Sequence, residues 1–470
     1  MKKTLLLILL IYQSTLFGQV LLTSYDFDLN KNDSNVQIFN AENSLTHDVF
    51  VFAVKEQDIT ILKYNNALFL MDKLTLSLAD YESKRIIGYS FNEDGNPSLY
   101  WSSSDLNEII ITKYFFESKT IKNLKFKMPF TSDYIVATFQ KNNSFCLLLK
   151  NISEEILTTY IFNEGIAEQT IFDFSPYKFY NKKFQNIPFH DLINENPLEK
   201  MEFKNYNPLY KSTGTSKFYV VDDKIILTLD QNAKQTQVFE LNLENHILTE
   251  KLFSQPIPQK TSYSSNSFFS ENKLYQIKAN AEELIFEVKN YDSGEIMKNI
   301  SIPKNESIYF KNSPLALKKE SRKLKSIKNT SLFLKYLSNL KVGISVYHNK
   351  SEDFVTIGGS PNIQYYQKPS FNNTTDEFND EPSLKQNYQN MNMVPIHTET
   401  VFFESSWDKN FEFISARQAP FAVDNISYFI SQQKEIGFEN IIKFKDYYIL
   451  GYYDFSKKSY IMRKFKDGYN

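Results

Sequence analysis

Two stretches in the middle of the chain repeat one another, and this repeat limits the possible folds more than any other feature. Residues 218–226 resemble residues 268–275, and the matching Lys224 and Lys273 lie 49 residues apart. The strand-like segments that follow each stretch also agree in type. A period of about 40 to 50 residues with four strands per unit is typical of a β-propeller blade.

Short strand-like segments continue through the rest of the chain, separated by turns rich in Asn, Asp, Ser and Gly. Four of them occupy about 42 residues between 86 and 127. Aromatic residues make up 16% of the chain, and such side chains suit pleated, half-buried surfaces. We therefore predict an all-β fold, a β-propeller of about seven or eight four-stranded blades with small helical insertions. Two stacked β-sandwiches are the alternative.

Three stretches interrupt the strands, and we predict that they are insertions into a single propeller domain spanning 19–470. The stretch 182–210 is interpreted as a connector with one or two helical turns. In 314–340, leucine and isoleucine recur at helical spacing, which predicts a helix. The polar stretch 364–394 indicates a long loop or interaction arm. A further helical turn is predicted at 422–431.

The beginning of the chain has the layout of a secretory signal peptide. Lys2 and Lys3 precede an apolar segment at 4–12, and small residues lead to a predicted cleavage point after Gly18. The apolar segment is too short to span a bilayer, which takes about 20 residues. We predict that residues 1–18 are removed and that the mature protein works in the periplasm or at the outer membrane, with no transmembrane span.

Charge and cysteine content narrow the classes of function. The net charge is only −2, so no overall field favours nucleic acid as a partner. Cys146 is the single cysteine, so the exported chain has no internal disulfide and depends on core burial for its stability. Phe145 and Leu147 flank this cysteine, which predicts a buried small hydrophobe.

Motifs for catalysis and metal binding are absent from the sequence. The five histidines are too far apart for two of them to share one turn of a helix as metal ligands. His348 is interpreted as a solvated turn residue, and the Gly358-Gly359 pair as a tight turn. No nucleophile elbow of the Gly-x-Ser-x-Gly type is present. We therefore predict no metal and no cofactor, and we assign no catalytic residue.

The densest charge feature is a run of basic residues within the stretch 314–340. One interpretation is the solvated face of a helix. The other is a contact surface for an acidic partner or for anionic lipid headgroups. The basic residues are Lys318, Lys319, Arg322, Lys323, Lys325 and Lys328.

These features together predict an exported, non-enzymatic propeller that is a binding or scaffold subunit of the bacterial cell envelope, with a protein partner and with peripheral membrane association. The chain resembles exported proteins of Gram-negative bacteria that use the type nine secretion route. Cargo of that route ends in a compact sorting domain, whereas 461–465 has the pattern of a propeller strand. This favours retention in the periplasm as a component of an outer-membrane or secretion complex. The alternative is a propeller hydrolase or lyase acting on glycans or peptides, which needs Asp, Glu and His clustered at one mouth of the channel.

Overall fold

The computed structural model describes residues 19–29, 36–78, 81, 84–102, 108–128, 133–163, 165–232, 234–258, 263–319, 324–349, 352–361, 399–416 and 418–468. Within these residues, seven sheets of four or five strands follow one another along the chain. We number these sheets blades 1 to 7. The predicted signal peptide 1–18 and the predicted loop 364–394 lie outside the described residues.

Blades 1, 2, 3 and 5 have the simplest order, because each strand pairs antiparallel with the next one along the chain. In blade 1 the strands are β2 (Gln37–Glu42), β3 (Val49–Lys55), β4 (Asp58–Tyr64) and β5 (Leu70–Ser77). In blade 2 they are β6 (Arg85–Phe91), β7 (Pro97–Ser102), β8 (Glu108–Phe115) and β9 (Thr120–Lys127). In blade 3 they are β10 (Asp133–Lys141), β11 (Ser144–Asn151), β12 (Ile156–Asn163) and β13 (Ile166–Asp173). In blade 5 they are β21 (Ser264–Ser270), β22 (Lys273–Ala279), β23 (Glu283–Asn290) and β24 (Ile296–Pro303).

Blade 4 has an additional inner strand. Its antiparallel strands are β17 (Ser216–Val221), β18 (Lys224–Leu229), β19 (Gln235–Asn242) and β20 (Leu248–Ser254), and β16 (Glu199–Met201) runs parallel to β17. The connection from blade 3 contains β14 (Phe179–Tyr180), β15 (Asn186–Ile187), α1 (Phe189–Glu195) and, after β16, α2 (Leu209–Ser212). The predicted connector therefore does contain short helices, and it also adds a strand to the sheet.

Blade 6 takes its outer strands from residues that precede its inner strands. Its strands are β25 (Ala316–Lys319), β26 (Lys325–Ser326), β27 (Lys341–Asn349), β28 (Glu352–Ser360) and β29 (Glu399–Asp408), with α3 (Thr330–Leu337) between β26 and β27. The spatial order from the inside is β27, β28, β29, β25 and β26.

Blade 7 joins the two ends of the described chain. It contains β30 (Ile436–Phe444), β31 (Tyr447–Asp454) and β32 (Ser459–Phe465), preceded by α4 (Ala422–Gln432), and β1 (Gln19–Asp26) pairs with β32 as the outermost strand. The Tyr460 hydroxyl donates to Asn40 Oδ1 of blade 1 at 2.7 Å. Gly451 makes room for this bond, since a Cβ there would lie 2.0 Å from the Tyr460 hydroxyl.

The first strands of the blades face the centre, and the last strands face solvent. First strands contact one another between neighbours, as β21 does with β27 and β2 with β30, whereas outer strands such as β5 and β9 are mostly exposed. Hydrophobic clusters fill the spaces between successive blades. Consecutive four-stranded meanders, arranged around a centre and closed by the first strand, define a β-propeller, so the predicted fold is confirmed with seven blades.

The internal repeat marks two neighbouring blades, as predicted. Lys224 is the first residue of β18 and Lys273 is the first residue of β22, the second strand of the meander in each blade. The predicted helical turn at 422–431 is also confirmed, as α4. Asp424 stabilises its start, because its Oδ2 accepts from the backbone N–H of Phe421 at 2.9 Å.

The helix predicted for 314–340 is wrong over its first half. Ala316 and Leu317 pair with Phe402 and Val401 of β29, so this part is an outer strand. The helix α3 begins only at Thr330, where Asn329 Oδ1 caps the backbone N–H of Leu332 at 2.9 Å. These residues form a strand despite the helical spacing of the leucines, because β29 offers a free edge. Pairing with that edge satisfies backbone groups on both strands.

The Gly358-Gly359 pair lies inside β28 and not in a turn, so that interpretation is also wrong. A Cβ on Gly358 would lie 2.0 Å from the backbone oxygen of Val401. The glycine therefore allows β28 and β29 to approach closely. Cys146 is fully buried in β11, as predicted, and burial raises the pKa of its thiol to about 12.

Candidate functional site

Residues 199–215, which we call the central segment, lie against the inner strands of several blades. The Ser345 hydroxyl of β27 donates to the Asn207 carbonyl at 2.6 Å, and the Tyr448 hydroxyl of blade 7 donates to Asn205 Oδ1 at 3.2 Å. From blade 5, the Asn266 amide donates to the Thr213 carbonyl at 3.2 Å. The central segment therefore crosses the space where blades 4 to 7 meet. It runs from the opposite side, at Thr213 beside Ser360, to the side of the propeller where the first two strands of each blade turn, at Asn205.

An acid and histidine cluster lies on the same side, between blades 5 and 6. His348 Nδ1 is 2.7 Å from Asp353 Oδ1, and His348 Nε2 is 3.3 Å from Glu271 Oε2. Asp353 is buried and also accepts from the Tyr275 hydroxyl at 2.6 Å. Lys273 Nζ lies 3.4 Å from the same carboxylate. The interpretation of His348 as a solvated turn residue is therefore wrong, because it lies near the end of β27 with a partner on each ring nitrogen.

The geometry of this cluster favours a structural role over catalysis. A histidine that acts as a base needs one ring nitrogen facing a substrate or a nucleophile. Both nitrogens of His348 face carboxylates of the protein itself. The cluster joins Glu271, Lys273 and Tyr275 of blade 5 to blade 6, so it holds two blades together. Sequence reasoning missed it because the partners lie about 75 residues away from the histidine along the chain.

A polar pocket of about 170 Å³ opens beside His348, between blades 6 and 7. Its lining residues are Tyr347, His348, Asn349, Lys443, Lys445, Asp446, Tyr448 and Asp467. None of these described lining residues is a serine, threonine or cysteine, so the pocket offers no nucleophile of those types. A second hollow of about 250 Å³ lies between blades 3 and 4, where Lys141 Nζ and Asp223 Oδ1 form an ion pair at 2.8 Å.

Glu404 of β29 and Asp424 of α4 form an acidic pair near the central segment. Burial and the charge of Asp424 raise the pKa of Glu404 to about 7. Burial also raises the pKa of Asp424, although the backbone N–H of Phe421 opposes this. Tyr206 of the central segment lies close to both carboxyl groups, and burial followed by these charges raises the pKa of its hydroxyl.

We expect the stability of the protein to fall as the pH rises from about 5 to about 8 because of Glu404. The folded state keeps this proton up to about pH 7, whereas an unfolded glutamate releases it near pH 4.3, so rising pH favours the unfolded state across this window. The Glu404→Gln variant should match the wild type at about pH 5 and exceed its stability at about pH 8. Urea unfolding of both proteins at the two pH values measures this. The same difference in stability between variant and wild type at both pH values would contradict the prediction.

The basic residues of the predicted contact surface lie at the outer edge of blade 6. Lys318 and Lys319 are in β25, where Lys319 Nζ pairs with Glu399 Oε2 at 2.8 Å. Lys325 in β26 and Lys328 before α3 are both exposed. Arg322 and Lys323 lie outside the described residues. The structure therefore places four of the six at one edge of the propeller, on strands and a turn and not on one helical face.

Blade 1 exposes a group of large apolar side chains, which we call the apolar rim. Its members are Leu45 (75% exposed), Phe69 (69%), Leu70 (44%) and Met71 (62%). Asn65 Oδ1 accepts from the backbone N–H groups of Ala67 and Phe69, both at 3.0 Å, and so fixes the turn that carries Phe69.

Beside this turn, Lys63 Nζ of β4 lies 3.6 Å from Asp48 Oδ2, which follows the turn that carries Leu45. The sequence contains a signal for the rim, since 67–71 is apolar throughout. Within this stretch, β5 begins only at Leu70.

Within the described residues, no group of three or more His, Cys, Asp or Glu side chains could hold a metal ion. Among the same residues, no helix is both long enough and apolar enough to span a bilayer.

No model of a protein family matches the chain, and no curated protein sequence matches it. Among solved structures, the chain is similar to a prolyl endopeptidase, with 8% identity and a TM-score of 0.32 over 93% of this chain and 50% of that chain. It is also similar to the WD40 domain of SCAP from fission yeast, with 10% identity and a TM-score of 0.30 over 96% and 98% of the two chains. For the Dos1 propeller, the identity is 7% and the TM-score 0.23 over 88% and 75%.

The chain therefore spans half of the length of the endopeptidase. Because all three TM-scores are low, the assignment of the propeller rests on the sheet topology of this chain, and no function is transferred from these structures.

Proposed function

We propose that this protein is a non-enzymatic β-propeller that binds another protein of the bacterial cell envelope and acts as a scaffold subunit, as part of an outer-membrane or secretion complex. The observation that carries this proposal is the apolar rim of blade 1. Contiguous exposed apolar patches mark protein interaction sites in soluble proteins. Aromatic residues and methionine are enriched in the cores of such interfaces, and the rim exposes Phe69 and Met71 together with two leucines.

The polar clusters of the propeller also support binding over catalysis. His348 has a carboxylate on each ring nitrogen, and the central segment fills the space where blades 4 to 7 meet. A hydrolase working from the central channel needs acidic and histidine side chains that are free to face a substrate. In the described residues, the acid and histidine cluster lies between blades 5 and 6 and joins them.

An envelope location is supported by the layout of residues 1–18 in the sequence. Removal of a leader after Gly18 would leave the closing strand of blade 7 intact. The exposed Lys325 and Lys328 at the outer edge of blade 6 support a peripheral contact with an acidic protein surface or anionic headgroups.

We expect the variant Phe69→Ser/Met71→Ser to lose the protein partner that the wild type recovers. Burying a phenylalanine or methionine side chain stabilises by about 1.5–3 kcal/mol, so the loss should weaken binding by at least about tenfold. The measurement is affinity purification of the tagged full chain from cross-linked native envelopes, followed by mass spectrometry. The same sample gives the mature N-terminus, which we expect at Gln19.

The matched control is Ile247→Ser, which removes an isolated side chain of similar exposure from a turn of blade 4. This variant should recover the same partner in the same amount as the wild type. Equal recovery from all three chains would contradict the apolar rim as the contact surface. A wild-type chain that is recovered alone would contradict the scaffold function itself.

A further inference from the structure

We propose that the polar pocket between blades 6 and 7 is a binding site for a small anion that carries a phosphate group, held by Lys443 and Lys445. This inference does not depend on the proposed function, because it concerns the binding of a small anion by lysines and not the apolar side chains of blade 1. It follows from the balance of charges around the pocket, from the hydrogen bonds that its side chains already make, and from its size.

The two lysines that line the pocket form no close ion pair, although the charge of Asp467 acts on Lys443 from a longer distance. Lys443 Nζ donates to the Lys204 carbonyl at 2.8 Å, and Lys445 Nζ donates to the Asn66 carbonyl at 3.0 Å. Among the described residues, no carboxylate lies within ion-pair distance of either ammonium. An ammonium group has three N–H donors, so each lysine keeps two for a ligand. A backbone carbonyl does not neutralise the charge of the ammonium that it accepts from.

The two carboxylates that line the pocket are already satisfied by the protein. Asp467 Oδ2 accepts from the Tyr347 hydroxyl at 2.8 Å and from the Asn349 amide at 2.9 Å. Its Oδ1 accepts from the backbone N–H of Ala422 at 2.8 Å. Asp446 forms an ion pair with Lys466 Nζ at 2.7 Å. With Asp446 paired to Lys466, the two lysines outnumber the one remaining carboxylate, Asp467, so the pocket keeps an excess of positive charge.

Further lysines nearby increase the positive potential. Lys204 of the central segment lies close enough to oppose the charge on Lys443, and Lys464 Nζ lies 4.1 Å from the ring centre of Tyr447 on the same sheet. A cluster of one sign of charge beside a concave surface concentrates counter-ions. Oxyanions with several acceptor oxygens match such donors, and lysine binds phosphate as a point charge.

The pocket has enough room for the proposed ligand. Its volume of about 170 Å³ accommodates one phosphate group and a few further atoms. The phosphate can belong to a free ion, to a small phosphate ester, or to a lipid headgroup that reaches into the pocket.

Calorimetric titration of the mature full chain with inorganic phosphate, in buffer without phosphate, tests the proposal. We expect saturable binding by the wild type and at least about tenfold weaker binding by Lys443→Gln/Lys445→Gln, because two charge-assisted hydrogen bonds are lost. Both side chains are exposed, and glutamine keeps a donor for the carbonyls, so the variant should fold. Its thermal unfolding curve checks this.

A second experiment measures sedimentation of the protein with phosphatidylcholine vesicles, with and without phosphatidic acid.

The matched control is Lys457→Gln, which removes the same charge from blade 7 in the turn between β31 and β32, where Lys457 pairs with Asp454 at 3.0 Å. Unchanged binding by this variant supports the pocket as the site. Equal weakening by both variants would show a general charge effect and overturn the proposal. Binding only to vesicles that contain phosphatidic acid identifies a headgroup as the source. No binding in either arm by the wild type would also overturn the proposal.

Discussion

Replacing Lys217 with methionine is expected to lower the free energy of unfolding by about 3–5 kcal/mol, the usual loss when one partner of a buried ion pair is removed. Lys217 Nζ lies 3.4 Å from Asp230 Oδ2, and neither side chain is exposed to solvent. Lys217 also donates to Asn266 Oδ1 at 2.9 Å and to the Gly214 carbonyl at 2.6 Å. These bonds join blade 4 to blade 5 and to the central segment.

The loss of stability in Lys217→Met should arise mainly from the Asp230 carboxylate, which stays buried without its positive partner. Asp230 accepts from the Ser267 hydroxyl at 2.8 Å and from the Thr236 hydroxyl at 2.7 Å, which do not supply a positive charge. An unpaired charge away from water is costly. We therefore expect the double variant Lys217→Met/Asp230→Asn to recover part of the stability that Lys217→Met loses.

A lysine on the neighbouring strand provides the control for this experiment. Lys224 is half exposed and pairs with Glu240 Oε2 at 2.9 Å, so Lys224→Met should cost less than about 1 kcal/mol. Urea unfolding followed by circular dichroism measures all three variants. Similar losses for Lys217→Met and Lys224→Met would contradict the importance of the buried pair.

Removing residues 19–26 from the mature chain is expected to cost on the order of 5 kcal/mol, because each backbone hydrogen bond contributes about 1 kcal/mol and β1 pairs with β32 along its length. The register runs from Gln19 opposite Phe465 to Asp26 opposite Ser459. A loss of this size is comparable to the total stability of many domains. The shortened chain should therefore unfold at a clearly lower temperature and with lower cooperativity.

Two further measurements separate strand pairing from side-chain effects. The variant Val20→Ser/Leu21→Ser changes two exposed side chains of β1 and keeps its backbone, so it should unfold close to the wild type. A peptide of residues 19–26 added to the shortened chain should restore part of the lost stability, since an extended peptide can add to a free sheet edge. An unchanged melting temperature of the shortened chain would contradict closure by β1.

The sequence allowed the architecture to be predicted because its signals are local. The equivalent positions of Lys224 and Lys273 mark the same strand in two adjacent blades, and alternating apolar residues around short polar turns locate most strands. Asp424 at the start of α4 is a similar local signal, since an acidic side chain there caps backbone N–H groups.

The features that escaped prediction depend on contacts between distant parts of the chain. Ala316 is in a strand because β29, more than 80 residues later, offers it an edge. His348 is held by an ion pair with Glu271, which belongs to another blade. The candidate site follows the same rule, because the pocket of Lys443 and Asn349 forms only where two blades meet.

The pairing of β1 with β32 also constrains the order of events during synthesis. Tyr460 and Asn40 are 420 positions apart, yet they share a buried hydrogen bond. β32 is therefore made long after β1, and until the two strands meet, blade 7 lacks its outermost strand. Contacts of such long range slow folding. During this interval the unpaired edges of β1 and β32 can pair with other chains, which favours aggregation.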